Sequence, residues 1–194
     1  ITKVSGIING TTNYILSRMD KEGVNYAEVL KDAQVLGYAE SDPAADVEGS
    51  DAADKIAILS GLAFGGAINR ANIPTTGINL LEDIDVNYAR KLGYGIKLLA
   101  ISEKGETQSS REYSQPLSVW VEPTLVPEDN PLAGVNGVNN AILVEGNPIG
   151  QVMFLGPGAG SGPTASAVVA DILNIAGIQS MSCLLYTSDA ADEG

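Results

Sequence analysis

The chain has no histidine and a single cysteine, Cys183, among its 194 residues. The first absence excludes Ser-His-Asp and Cys-His nucleophile systems and every histidine-containing metal site. Proton chemistry is left to carboxylates, lysine, tyrosine or bound water. The second excludes an internal disulfide and fits a reducing compartment. Basic side chains are scarce too: 11 Lys and Arg stand against 24 Asp and Glu, a formal net charge of −13. Nucleic acid and anionic membrane surfaces need clustered cations, so neither is an expected partner. No apolar run approaches a bilayer span and no basic-then-hydrophobic leader opens the chain, so the expected location is cytoplasmic.

What is present is ordinary globular material, 44% hydrophobic and 18% charged. The first residue is Ile1 rather than Met, which reads as a fragment. A short strand opens the chain. A helix from about Thr12 to Glu22 follows, ended by Gly23. Asn25 and Glu28 have capping-box spacing for a second helix that stops at Gly37. The run SDAADKIAILSGLAF places Ser50 at an N-cap and Ile56, Leu59, Leu62 and Ala63 on an apolar face. Further elements are a helix at Val86–Leu92 and strands at Ile96–Ser102, Ser118–Thr124, Ala141–Glu145 and Gln151–Leu155, the last two paired antiparallel. SEKGETQSSREYSQ reads as a surface hairpin or loop, and a glycine loop feeds a last helix at Thr164–Ile175. The expected fold is α+β, a mixed or antiparallel sheet with helices packed on it.

Three stretches carry chemistry. Glu40, Asp42, Asp46, Glu48, Asp51 and Asp54 crowd the segment before Lys55. Such a cluster either is a solvated loop at a helix start or asks for a bound ammonium or metal ion. No register of DPAADVEGSDAAD meets the EF-hand pattern, so no metal site is expected. Asp51 and Lys55 stand one helical turn apart, which fits either an exposed ion pair or two heads converging at the edge of the core. Gly156-Pro-Gly-Ala-Gly-Ser-Gly-Pro-Thr164 precedes a helix, as an anion cradle does, but matches neither the dinucleotide fingerprint nor a Walker loop. A tight structural turn fits it equally. Gly6-Ile-Ile-Asn-Gly-Thr-Thr-Asn-Tyr14 reads, by itself, as a capped turn.

Taken in order, GIINGTTNYIL, LGYAESDPAADVEGSDAADKIAIL and GPGAGSGPTASAVVADIL resemble the homoserine dehydrogenases, in particular the monofunctional bacterial form. The likeness runs from Ile1 to Gln179 and includes IKLLA, VEPTLVP and PLAGVNGVNNAI. It implies interconversion of L-homoserine and L-aspartate 4-semialdehyde with NAD or NADP, on the route to threonine, methionine and isoleucine. It further implies that Glu40 and Asp51 hold the substrate's amino group. Asp46 is a further acidic residue of that site and Tyr38 a pocket tyrosine. Lys55 is matched to proton transfer at the substrate hydroxyl, directly or through water. Gly160, Gly158 and Thr11 are matched to cofactor contacts.

The resemblance also implies a homodimer in the full-length enzyme. It places the main dinucleotide fingerprint, a second lysine and a monovalent-cation site before Ile1, so the isolated chain is expected to be inactive. Asn130 stands where many relatives carry histidine. The implied layout is a catalytic and dimerisation domain at 1–155, a glycine loop and helix returning to the nucleotide domain at 156–181, and a tail at 182–194. That tail contains CLLYTSDAADEG, which resembles a translated sequencing adapter and is expected to be loosely packed and without function. Two other readings stand beside this one: a non-catalytic module that binds a cation or amino acid, and a piece of a bifunctional aspartokinase-homoserine dehydrogenase.

Overall fold

The computed structural model describes residues 1–105 and 116–189, with the side chains of the last helix described as far as residue 177. It divides into two compact units, one ending at Gly158 and one beginning at Ala159. The first runs β1 (Lys3–Ile7), α1 (Gly10–Glu22), α2 (Tyr26–Val35), α3 (Ala44–Val47), α4 (Ser50–Phe64), a 3-10 turn at Arg70–Asn72, α5 (Asp83–Lys91), β2 (Tyr94–Lys104), β3 (Leu117–Pro127), β4 (Asn139–Gly146) and β5 (Gly150–Pro157). The second holds helix α6 (Ser161–Asp189). The class is α+β, as the sequence pattern predicts.

All five strands pair antiparallel in the order β3-β2-β1-β4-β5. β1 lies in the middle, with Val4 opposite Ser102 on one side and Val144 on the other. The strand period of two sends alternate side chains to opposite faces. Val4, Leu98 and Ala100 join the core under the helices with Ile15, Met19, Ile56 and Val121. Ile7, Leu99 and Ile101 join a second cluster closed by Leu132 and Val135. Each fully buried aliphatic side chain contributes about 1.5–3 kcal/mol. β3 carries Pro123 and Pro127, which an edge strand tolerates because its outer N–H groups need no ladder partner. Part of that outer edge is nevertheless paired, since Val121 donates to the Pro74 carbonyl and accepts from Thr76.

Several expectations need correction. Helix α1 begins at Gly10, ahead of the expected Thr12, because Asn9 takes the cap position. A short helix, α3, interrupts the acidic loop. Ser50 is the first residue of α4 rather than its cap. Gly49 holds that place in the left-handed region at φ 85, and the Ser50 hydroxyl donates back to the Ala45 carbonyl. Leu62 is 79% exposed. Six helical residues rotate it about 240° from buried Ile56, which puts it off the face formed by Ala52, Ala53, Ile56 and Ser60.

Ser102 to Lys104 of the expected polar loop belong to β2, and the tip at 106–115 lies outside the described residues. Helix α6 continues past Ile175 through residues 182–189 of the adapter-like tail. That stretch has no proline, and Leu184 and Leu185 are good helix formers, so nothing breaks the ladder. The Cys183 side chain and residues 190–194 lie outside the described residues.

Gly77 fixes how α3 meets the sheet edge. A Cβ there would stand 2.1 Å from the Val47 carbonyl oxygen. The next amide, Ile78, donates to that same oxygen at 2.7 Å.

Candidate functional site

β1 leaves the sheet at Ile8, and Asn9 turns the chain into α1. The Asn9 Oδ1 accepts from the Thr12 amide at 2.9 Å and the Thr12 hydroxyl at 3.1 Å. With that edge of the carboxamide committed to the cap, the other edge faces α3 and α4. Its Nδ2 donates to Asp46 Oδ1 at 2.7 Å and to Asp51 Oδ2 at 2.9 Å. One buried neutral amide thus holds two carboxylates from different helices side by side. Lys55, one turn along α4, donates to Asp51 Oδ2 at 2.7 Å and to the Ile8 carbonyl at 3.1 Å.

An exposed i,i+4 ion pair is worth only about 0.3–0.5 kcal/mol. The Ile8 carbonyl changes the meaning of this one, because it fixes the ammonium against the backbone at the end of the central strand. The cluster of Asp46, Asp51 and Lys55 has one charge of each sign and a second carboxylate over. It therefore suits a ligand that brings an ammonium group.

A second group of residues attaches to the same helix end. The Thr11 hydroxyl donates to the Tyr38 carbonyl at 2.6 Å. The Tyr38 ring rests on Tyr14, centroids 5.0 Å apart and planes tilted by 58°. Glu40 follows two residues on; its backbone carbonyl accepts from Gln34, and its carboxylate has no partner among the described residues. The structure therefore joins Asp46 to Asp51 through Asn9, pairs Asp51 with Lys55 directly, and ties Tyr38 to them through α1. Glu40 stays exposed and outside the hydrogen-bonded cluster.

Lys55 also lines a cleft of about 420 Å³ with Ile8, Ile58, Asn140, Phe154 and Gly158. A Cβ on Gly158 would stand 1.8 Å from Asn140 Nδ2, so the carboxamide occupies the space a side chain would need. Asn140 Oδ1 is buried without a hydrogen-bond partner among the described residues. Gly160, in the second unit, has φ 114, and its carbonyl accepts from the Thr164 amide. The Thr11 hydroxyl expected at the cofactor already donates to Tyr38. No group of three or more metal-ligating side chains occurs among the described residues, and no described helix is long and apolar enough to cross a membrane.

The sequence reading missed Asn9 and Asn140. An N-cap asparagine is legible from Asn-x-x-Thr, but where its second amide edge points depends on residues 37 and 42 positions away. It also missed Lys97, buried in β2 at 4% exposure. Its ammonium donates to Asn13 Oδ1, the Val135 carbonyl and Asn136 Oδ1, all of them neutral. Desolvation lowers its pKa to about 8 from 10.5, with Asp20 opposing the shift and Lys21 adding to it.

Known proteins match this arrangement over most of its length. A family model described as homoserine dehydrogenase matches residues 1–173. The homoserine dehydrogenase of Synechocystis sp. is 57% identical over 178 residues, which are 92% of this chain and 40% of that protein. That of Bacillus subtilis is 45% identical over 90% of this chain and 39% of its own length. A homoserine dehydrogenase structure from Thiobacillus denitrificans aligns with a TM-score of 0.87 at 46% identity, covering 93% of this chain and 40% of that one. A hyperthermophilic archaeal homoserine dehydrogenase solved in complex with NADPH gives 0.69 at 30% identity, covering 89% of this chain and 46% of that one. The chain spans about 40% of the length of the curated relatives it matches. On the extent of these matches, the chain belongs to the homoserine dehydrogenase family.

Proposed function

We propose that this chain supplies the substrate site and the proton-transfer lysine of an enzyme that interconverts L-homoserine and L-aspartate 4-semialdehyde. The observation that carries the reading is the Asn9-held pair Asp46 and Asp51, with Lys55 reaching from it into an apolar cleft. Asp51 and Asp46 take the substrate ammonium, assisted by Glu40, and Tyr38 forms part of the pocket wall. Lys55 then stands at the hydroxyl. In the reducing direction its ammonium gives a proton to the aldehyde oxygen. In the oxidising direction the neutral amine takes the hydroxyl proton, directly or through a water.

The cleft lining fits a nicotinamide. Ile8, Ile58, Ile142, Phe154 and Leu155 give apolar surface for a planar ring, Asn140 and the Gly156–Gly158 backbone offer polar contacts, and no carboxylate is among them. Bound there, that ring supplies hydride exchange with the alcohol carbon. Gly158 and Gly160 are the cofactor contacts of this portion, and NADPH in the archaeal relative supports NADP or NAD as the partner. The remaining assignments are a homodimer in the complete enzyme, a cytoplasmic location and a glycine loop with helix at 156–181 that returns to a nucleotide-binding domain.

The test is Lys55→Ala in a complete reading frame containing this segment. Turnover should vanish with the circular dichroism spectrum and melting curve unchanged; near-normal kcat removes Lys55 from the mechanism. The isolated chain should not turn over. Oxidation of NADPH by it with aspartate semialdehyde would overturn that expectation.

A further inference from the structure

Tyr38 is 45% exposed, and an exposed tyrosine after a helix end ordinarily samples several rotamers. Here its backbone is tied at three points. Its amide and that of Ala39 both donate to the Ala33 carbonyl, at 2.9 and 3.1 Å, and its carbonyl accepts from Thr11. Its ring meets Tyr14. Tyr14 is in turn held: its hydroxyl accepts from Arg18 Nη1 at 3.0 Å. Arg18 also bridges to Asp32 of α2 at 3.0 Å and to Glu22 at 2.7 Å. The Glu22 carboxylate, Tyr14 hydroxyl and Asp32 carboxylate all favour the charged guanidinium and raise its pKa against desolvation. A continuous path therefore runs from α2 through Arg18 and Tyr14 to Tyr38, on the stretch that carries Glu40.

We propose that Tyr14 is a positioning residue for the substrate pocket: its ring seats Tyr38, and with it Glu40, at the N-terminal end of α1 beside the Asn9 cluster. The assignment deepens the functional reading above and rests on it for the identity of the ligand. Tyr14 itself touches none of Asn9, Asp46, Asp51 or Lys55 through a hydrogen bond. Its effect passes through the aromatic contact, which a phenylalanine preserves and a leucine does not. Arg18 fixes the ring from the other side, so the phenolic oxygen contributes through that tether alone.

Amide hydrogen exchange of the chain by NMR, with an L-homoserine titration, tests this in the wild type, Tyr14→Phe and Tyr14→Leu. Tyr14→Leu should speed exchange at Tyr38 and Ala39 by about tenfold while the β1 amides keep their wild-type rates. L-homoserine binding should weaken severalfold in the same variant. Tyr14→Phe should restore both. The proposal is overturned if Tyr14→Leu leaves Tyr38 and Ala39 unchanged, if exchange rises equally in β1, if Tyr14→Phe is as loose as Tyr14→Leu, or if Tyr14→Leu binds L-homoserine as tightly as a wild type that binds it. The exchange arm decides positioning with no ligand present. A wild-type chain that fails to bind L-homoserine therefore overturns the substrate assignment, not the positional one.

Discussion

Replacing Lys97 by methionine should change how the stability of this protein depends on pH more than its stability at any single pH. The ammonium is buried among three neutral oxygens, and its folded pKa of about 8 lies below the 10.5 of the exposed group. At pH 7 the unfolded chain binds that proton more tightly than the folded one, so burial costs stability, by about 3 kcal/mol from the shift. Methionine removes this cost but leaves Asn13 Oδ1 and Asn136 Oδ1 without their donor, a loss of about 1–3 kcal/mol each. The two terms are of similar size, which makes the net effect at pH 7 a poor readout.

The pH slope is a clean one. As pH rises through 8 the folded Lys97 loses its proton, the unfolded one keeps it until about 10.5, and the penalty is relieved. Urea unfolding of wild type and Lys97→Met at pH 8 and pH 10 should show the wild type gaining about 2 kcal/mol on the variant. Other lysines and tyrosines titrate in both proteins and cancel in the difference. A difference that stays flat with pH, or moves in the variant's favour, would refute the argument.

Other perturbations probe the site and its support. Asn9→Ala should lower stability by about 2 kcal/mol in urea, because it removes the α1 cap and both donors to Asp46 and Asp51. Asn9→Ser keeps a capping oxygen and should recover roughly half of that loss. Full recovery in Asn9→Ser would mean that the carboxylates do not need the amide. Gly77→Ala sets a methyl 2.1 Å from the Val47 oxygen and 2.4 Å from Glu48 Cα, both backbone. It should cost about 3 kcal/mol, and a melting temperature within a degree of wild type would contradict that packing.

Much of the fold was legible because its signals are local. Asn25 caps α2 with Glu28, Gly23 and Gly37 end two helices with positive φ, and β4 and β5 pair across a Gly-Asn-Pro turn. The correct family also emerged from separated motifs. What the chain hid was tertiary. Four residues of α3 are too few to show a period, and a leucine at position 62 reads as core until the direction of α4 is known. Lys97 sits in YGIKLLAIS, where β2 is flanked by β1 and β3 and covered on both faces, so the lysine is buried although its residue type argues for exposure. The candidate carboxylates and Lys55 were legible from resemblance. Their coupling through Asn9 was not, because it is made by one side chain reaching across from another element.

The central position of β1 bears on how the pocket divides its labour. Both edges of the strand are hydrogen-bonded, and Asn9 is mounted where it ends. A ligand meeting Asp46, Asp51 and Lys55 therefore finds donors and acceptors whose conformational entropy was already spent when the sheet formed. Tyr38 and Glu40 sit on an exposed connection instead, where Tyr14 seats the Tyr38 ring and ordering the Glu40 carboxylate falls to the ligand. Changes on the sheet side should alter the strength of every ligand alike. Changes on the connection side should re-sort ligands by size and shape, which makes that connection the place to redirect selectivity without dismantling the proposed ammonium site.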